Sequence, residues 1–399
     1  MVSDENYRDA LVACAASAYE ARSLPAIDDH AGFLGAAKRH GLVPLANRLV
    51  QASSCTAEVK RAFRTHAFWY AVRSAQMESQ LGRIVAALNT AGVPVIVLKG
   101  AALARTLYPS SVLRPYGDLD VLVREEDWVA VRETLASLGY RAIQALHAPP
   151  PKVWARKAYY HTQYEHPDLR IRVEVHYDAW WYSLRPRLGE LYWQRAVTLT
   201  VAGARTSMLS AEDQIIQLSA HLHHHGYNRL IWFTDLALLL RDRRIDWDHV
   251  VRASREEGIG LFVYYSLHYV ERLLGVAPPK DVLDGLRPGP FPVWLHDRLW
   301  PPAVVLAVGV EDRVLCDFHE VPSGQELLLN LLLTGRRLEK LVYLARLLMP
   351  SSDWLAHYYG VTDGAALRSR RLIHAPKMLL TAIRELGDVA RKGVTRHPL

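Results

Sequence analysis

The chain is 399 residues long, half of them hydrophobic and 22% charged, with a formal net charge of +7. That is the profile of a globular protein with a sizeable core and room for two or three domains. No apolar run approaches the ~18 residues that span a bilayer, and Cys14, Cys55 and Cys316 lie too far apart for a zinc pattern or a disulfide framework.

The N-terminal stretch from Met1 to Ala10 is acidic and polar and has no secretory pattern, so a reducing cytoplasm is the expected compartment. A pI near 9.2 favours anionic ligands such as nucleotides. The arginines are scattered and no nucleic-acid module is recognisable, so a nucleic-acid partner is not expected.

Residues 1–90 are expected to be a helical region. Tyr7–Ala21 and Ala31–Ala52 carry apolar residues at helical spacing, and Glu58–Leu88 suits one or two longer helices. The aromatic cluster Phe63, Phe68, Trp69 and Tyr70 is expected to pack in the core. Residues 91–210 read as an α/β core. Val93–Leu98 is a short, β-branched apolar run suited to a buried strand. A helix over Ala101–Leu107 follows and is ended by Pro109. Asp118, Leu119 and Asp120 then lead into Val121, Leu122 and Val123, a second strand. Glu125–Leu138 has an apolar stripe and stops at Gly139, a residue that tolerates a left-handed helix end. Tyr140–Ala145 is a candidate strand, and His147–Tyr160, with three consecutive prolines, reads as an irregular loop. In Leu169–Tyr177 the alternation puts Ile171, Val173 and Val175 on one face and Arg170, Arg172, Glu174 and His176 on the other. Val197–Met208, with Gly203 at its middle, reads as a hairpin.

Residues 211–399 are expected to form a C-terminal helical domain. Ser210 followed by Asp213 is a helix-capping pattern. The helix it starts carries His221, His224 and His225 on one side. Zinc is a competing reading there, weakened because no carboxylate or cysteine stands at ligand spacing. Trp247–Gly258 and Leu261–Gly275 read as helices, and Pro278–Pro302 as a linker or surface loop. Glu326–Leu348 suits a buried helix pair. Leu367–Arg396 is a basic amphipathic helix and tail, read as a solvated face in preference to a membrane or acidic-partner contact.

The chemistry concentrates between Val93 and Val123. On a strand, Asp118 and Asp120 share a face and lie ~7 Å apart, where like charges repel unless a cation intervenes. Carboxylate oxygens suit Mg²⁺. Upstream, Lys99 and Gly100 form a turn at a helix start, whose free N–H groups and dipole favour an anion. A phosphate-binding turn followed by paired metal-binding aspartates resembles the polymerase-β-like nucleotidyltransferase superfamily. More narrowly it resembles a bacterial group of largely uncharacterised nucleotidyltransferases. In that group the turn reads Leu-Lys-Gly, matched here by Leu98, Lys99 and Gly100, and the metal motif follows an arginine, matched by Arg114.

The resemblance implies an α+β fold: a small mixed sheet with flanking helices, set between N- and C-terminal helical regions. It implies Asp118, Asp120 and Glu174 as catalytic metal ligands, holding two Mg²⁺ ions. It implies Lys99, Gly100 and Arg114 as nucleotide-binding residues. His176, His221, His225, Arg229 and Asp235 would line an acceptor cleft. The implied reaction moves a nucleoside monophosphate from an NTP, with ATP foremost, to an acceptor hydroxyl of a small molecule or peptide, releasing pyrophosphate. Two other readings stand beside it: a non-catalytic nucleotide-binding or antitoxin-like interaction protein, and a phosphotransferase on the same scaffold.

Overall fold

The computed structural model describes residues 4–143, 161–177, 189–241, 244–308, 341, 345, 348–350, 352–361 and 363–392. The loop expected over 147–160, most of the expected helix pair at 326–348 and the tail beyond 392 lie outside these residues.

The N-terminal region is helical: α1 (Arg8–Ala16), α2 (His30–Arg39), α3 (Val43–Ala52) and α4 (Ala57–Thr90). The Ala31–Ala52 run divides at Gly41, whose φ of +70° closes α2, and Pro44 occupies the first turn of α3. The segment read as one or two helices is a single 34-residue helix, begun by Thr56, whose hydroxyl accepts from the Val59 N–H. The expected aromatic core is corrected by the structure: Phe63 is buried, but Phe68 and Trp69 are exposed.

The described strands form one mixed sheet in the order β3-β4-β5-β2-β1-β7-β6. They are β1 (Ile96–Val97), β2 (Asp118–Leu122), β3 (Arg141–Ala142), β4 (His161–His166), β5 (Ile171–His176), β6 (Val197–Val201) and β7 (Ala204–Met208). β1 is shorter than the apolar run that contains it. The pair β6–β7 is the expected hairpin, turning through Ala202 and Gly203, both at positive φ. Parallel pairing joins β2 to β5 and β1 to β7. Two helices follow β1 and β2: α5 (Lys99–Thr106), and α6 (Trp128–Ser137) behind a short 3-10 turn. Helix α7 (Gly189–Arg195) precedes β6. One face of the sheet is dry. Leu119, Val121, Val173 and Val175 pack there against Leu81, Ile84, Val85 and Leu88 of α4 and Val131 and Leu135 of α6.

Beyond the sheet come α8 (Ala211–His224), α9 (Leu230–Leu240), α10 (Trp247–Glu256) and α11 (Gly260–Leu274). Ser210 caps α8, and Gly275 ends α11 at φ +69°. Leu11, Phe33 and Leu45 of the N-terminal helices share one continuous core with Leu222, Phe233 and Tyr269 of the later ones. The proline-rich stretch expected as linker or loop instead contains α12 (Lys280–Leu286) and α13 (Pro290–Leu299), with α14 (Pro302–Leu306) just beyond it. Pro290 and Pro302 sit in first turns, where a missing N–H breaks no intrahelical bond. The described chain closes with α15 (Ser352–Tyr359) and α16 (Gly364–Lys392).

Candidate active site

Because Leu119 and Val121 bury on the dry face, strand alternation sends Asp118 and Asp120 to the other. The parallel register then sets Glu174 of β5 directly beside Asp120, and Arg172 beside Asp118. β5 is an interior strand between β4 and β2, so its polar face is not a solvated edge: Glu174 and His176 are both buried. On β4, Gln163 lies across from Glu174 and donates to its Oε1 at 3.0 Å.

These side chains open into a cleft of about 570 Å³. Lys99, Gly100, Arg114, Tyr116, Asp118, Asp120 and Glu174 line it, together with His221, His225, Asn228, Arg229 and Trp232 from α8, α9 and the turn between them. The N-terminal helices contribute Lys38 and Tyr70. Sequence reading missed Gln163 and Lys38, which belong to elements remote from the motif, and gave no site role to Arg172, placed on the polar strand face, or to Tyr70, expected in the core. The alternation of Thr162 and Tyr164 with Gln163 was the available signal for β4.

Asp120 is the hub. Its Oδ1 accepts from Lys99 Nζ at 2.7 Å and from His176 Nε2 at 2.7 Å. Burial opposes the charge on Asp120, but Lys99 and the His176 bond outweigh it and hold the carboxyl well below the usual range. Its neighbours behave oppositely. Burial, then the Asp120 charge, pushes Asp118 up to about 6 and Glu174 up to about 8. Burial also lowers His176 below its ordinary value, leaving a neutral imidazole. The face therefore gathers three carboxylates around the Lys99 ammonium, with Arg172 beside Asp118 and Arg114 acting on Asp118 through space.

Asp120, Glu174 and His176 offer ligand atoms within 4.8 Å of one another and could hold a metal ion. Among the described residues this is the one such group, so the helix histidines gather no zinc set. His176, expected on the acceptor side, instead lies beneath the carboxylates, bonded to Asp120, and does not line the cleft.

The Lys-Gly turn is built more tightly than an exposed phosphate loop. Lys99 adopts φ +47°, an uncommon conformation for a residue with a side chain. Its side chain is only 15% exposed. A Cβ at Gly100 would stand 2.6 Å from the Tyr116 Cβ and 2.9 Å from an Arg114 nitrogen, so this position has no room for one. The first turn of α5 has no side-chain cap.

Arg114 and Asp235 form a separate unit. The guanidinium meets Asp235 through Nε and Nη2, the latter at 2.6 Å from Oδ2, and Tyr108 donates to Oδ1 at 2.7 Å. Asp235, expected in the acceptor cleft, is fully buried on α9 and does not line the cleft. Arg114 touches the cleft, but its fork is committed to Asp235.

His221 and His225 do line the cleft, with rings 4.6 and 5.0 Å from Trp232. Burial lowers His221 far below its ordinary value. Burial, Lys99 and Arg229 bring His225 down to about 3. Both are neutral at physiological pH and poor proton acceptors. Arg229 donates to the Arg39 carbonyl and lies over Trp232.

Two solved structures resemble parts of this chain. The antibiotic-resistance factor ANT(2'')-Ia is 17% identical, over 51% of this chain and 91% of that one, with a TM-score of 0.29. An antigenic nucleotidyltransferase-like protein from Paracoccidioides brasiliensis is 10% identical, over 52% and 96%, with a TM-score of 0.32. No curated protein matches. A family model described as "Uncharacterised nucleotidyltransferase" matches residues 28–275, which include both Lys-Gly and Asp-x-Asp motifs, Glu174 and the α8–α9 wall, and the chain belongs to that family.

Proposed function

We propose that this nucleotidyltransferase moves a nucleoside monophosphate from an NTP, ATP foremost, to a hydroxyl of a small molecule or peptide, with Mg²⁺ and release of pyrophosphate. The observation that carries the reading is the adjacency of Asp120 and Glu174 across β2 and β5, with Asp118 on the same face of one cleft. The donor set fits the metal. Carboxylate oxygens dominate it, and burial together with the Asp120 charge holds Asp118 and Glu174 above the usual range, so that a bound cation would offset both effects. Asp118, Asp120 and Glu174 would hold the ions. Bound Mg²⁺ would supply Lewis acidity and neutralise charge on the triphosphate.

The chain's own groups do the rest. His176 and Lys99 keep Asp120 ionised and aimed. Glu174 retains its proton near neutrality, and as a ligand of a bound cation it would have to give that proton up. Lys99 and the N–H groups opening α5 receive charge developing on the phosphates. Arg114 positions the Gly100–Tyr116 side of the cleft and leaves phosphate contact to Lys99.

His221, His225, Asn228, Arg229 and Trp232 form the acceptor side. Among the described lining residues, every carboxylate belongs to the Asp118–Asp120–Glu174 set. Lys38, Arg172 and Arg229 also line the cleft. That composition suits a neutral or anionic acceptor and disfavours a polycation.

The test uses α- and γ-labelled ATP with Mg²⁺ and a fractionated cell extract as the acceptor source. The expected result is α-label in the product together with free pyrophosphate. Transfer of the γ-label would identify a phosphotransferase, and transfer of neither label would favour the non-catalytic interaction protein.

A further inference from the structure

We propose that α16 docks this protein on anionic lipid surfaces, lying in the headgroup plane with its apolar stripe inserted. The inference is independent of the catalytic reading and rests on one helix with two faces. On the inner face His374 and Met378 are buried, and the His374 ring bonds the Tyr359 hydroxyl of α15 at 3.1 Å. On the outer face Leu372, Ile373, Leu379, Leu380 and Ile383 are between 46% and 79% exposed. At ~100° per residue these five fall within an arc of roughly 120°, the width of an apolar face that normally has something to cover it.

The charges say what covers it. From Gly364 to Arg384 the sequence carries Arg368, Arg370, Arg371, Lys377 and Arg384 and no acidic residue. All five cations are exposed. At the same spacing Arg368 borders the stripe on one side and Arg384 and Lys377 on the other, with Arg370 and Arg371 nearer the inner face. Arg370 and Lys377 reach back over the Tyr359 ring on one side, and on the other Arg371 bonds Ser352. An apolar stripe between two cationic margins matches a bilayer interface, where acyl chains meet anionic headgroups. A second copy fits poorly, because two such faces would bring their cationic margins together, with Glu385 and Asp388 as the only acids of this helix. No helix of the described residues is long and apolar enough to cross a membrane.

The experiment sediments the full chain with vesicles of phosphatidylcholine alone or containing phosphatidylglycerol. Binding to the anionic vesicles is expected to be at least about tenfold stronger and to fall as salt is raised. L380E/I383E should abolish sedimentation, and R368E/R384E should weaken it about tenfold. These positions are exposed, so melting temperatures should not move. Failure of the wild-type chain to bind either vesicle would overturn the proposal, as would binding that L380E/I383E leaves intact. A dimer dissolved by L380E/I383E, without lipid binding, would assign the stripe to a second copy. Binding to polyglutamate but not to anionic vesicles would assign it to an acidic polypeptide.

Discussion

Two buried ionic clusters sit on either side of Gly100, and they are built on opposite principles. Arg114, Asp235 and Tyr108 are closed: the cation has its carboxylate, the carboxylate accepts from both partners, and no charge is left over. Asp118, Asp120 and Glu174 are open: three acids gather at Lys99, the arginines near Asp118 make no ion pair with it among the described residues, and His176 adds a hydrogen bond but no charge. A satisfied cluster holds the fold in register. An unsatisfied one stores affinity for something that arrives. Lys99 and Arg114 come from the same short stretch of sequence, but Arg114 meets its aspartate on α9, 121 residues away, so the difference lies in what each cation finds.

The largest effect that would break this contrast concerns catalysis. Asp120→Asn gives up the attraction that holds this carboxyl low, so it should fold with reduced stability, and it should lower α-label transfer by roughly a thousandfold or more per folded molecule. Rates on the extract acceptor, with a thermal melt beside them, check both halves. On the closed side, Asp235→Ala strands a buried guanidinium and should destabilise the fold by about 3–5 kcal/mol. Denaturant midpoints would show it, and a variant with wild-type stability would contradict the structural role.

The pH dependence sharpens the contrast. Glu174 in the fold sits above its ordinary value of 4.5, at about 8. The native state therefore binds more protons than the unfolded chain between those values. Stability of the metal-free protein should fall as pH rises from about 4.5 to about 8, and the loss should be complete above that. Glu174→Gln should remove this penalty and be more stable than wild type at pH 8, by on the order of 2 kcal/mol. Melting curves with a chelator at pH 5 and pH 8 give the comparison. The smallest effect concerns the aromatic wall. Trp232→Ala should raise the KM for the acceptor about tenfold while leaving that for ATP nearly unchanged.

Much of the open cluster was legible in the sequence because strand alternation is strict. Leu119 and Val121 had to bury, so Asp118 and Asp120 had to face away, and the same rule set Glu174 on the polar side of Leu169–Tyr177. What periodicity could not supply was the partner of each polar group. Nothing local distinguishes Asp235, which closes on Arg114 121 residues away, from an aspartate lining a cleft. His176 looked equivalent to Glu174 two residues earlier, yet it turns beneath Asp120. Phe68 and Trp69 show the reverse failure: apolar spacing on α4 suggested burial, but the sheet and α6 cover only part of so long a helix. Prolines also misled, since Pro290 and Pro302 start helices instead of ending order.

The central claim, that the Asp118–Asp120–Glu174 face is charge-deficient and takes a divalent cation, is tested most directly by calorimetric titration of the chelator-treated protein with Mg²⁺. The titration is run near pH 7 in two buffers of different ionisation enthalpy. Saturable binding with net proton release, lost in Asp120→Asn, is the predicted result. Absence of binding with or without ATP, or binding unchanged in Asp120→Asn, would contradict it.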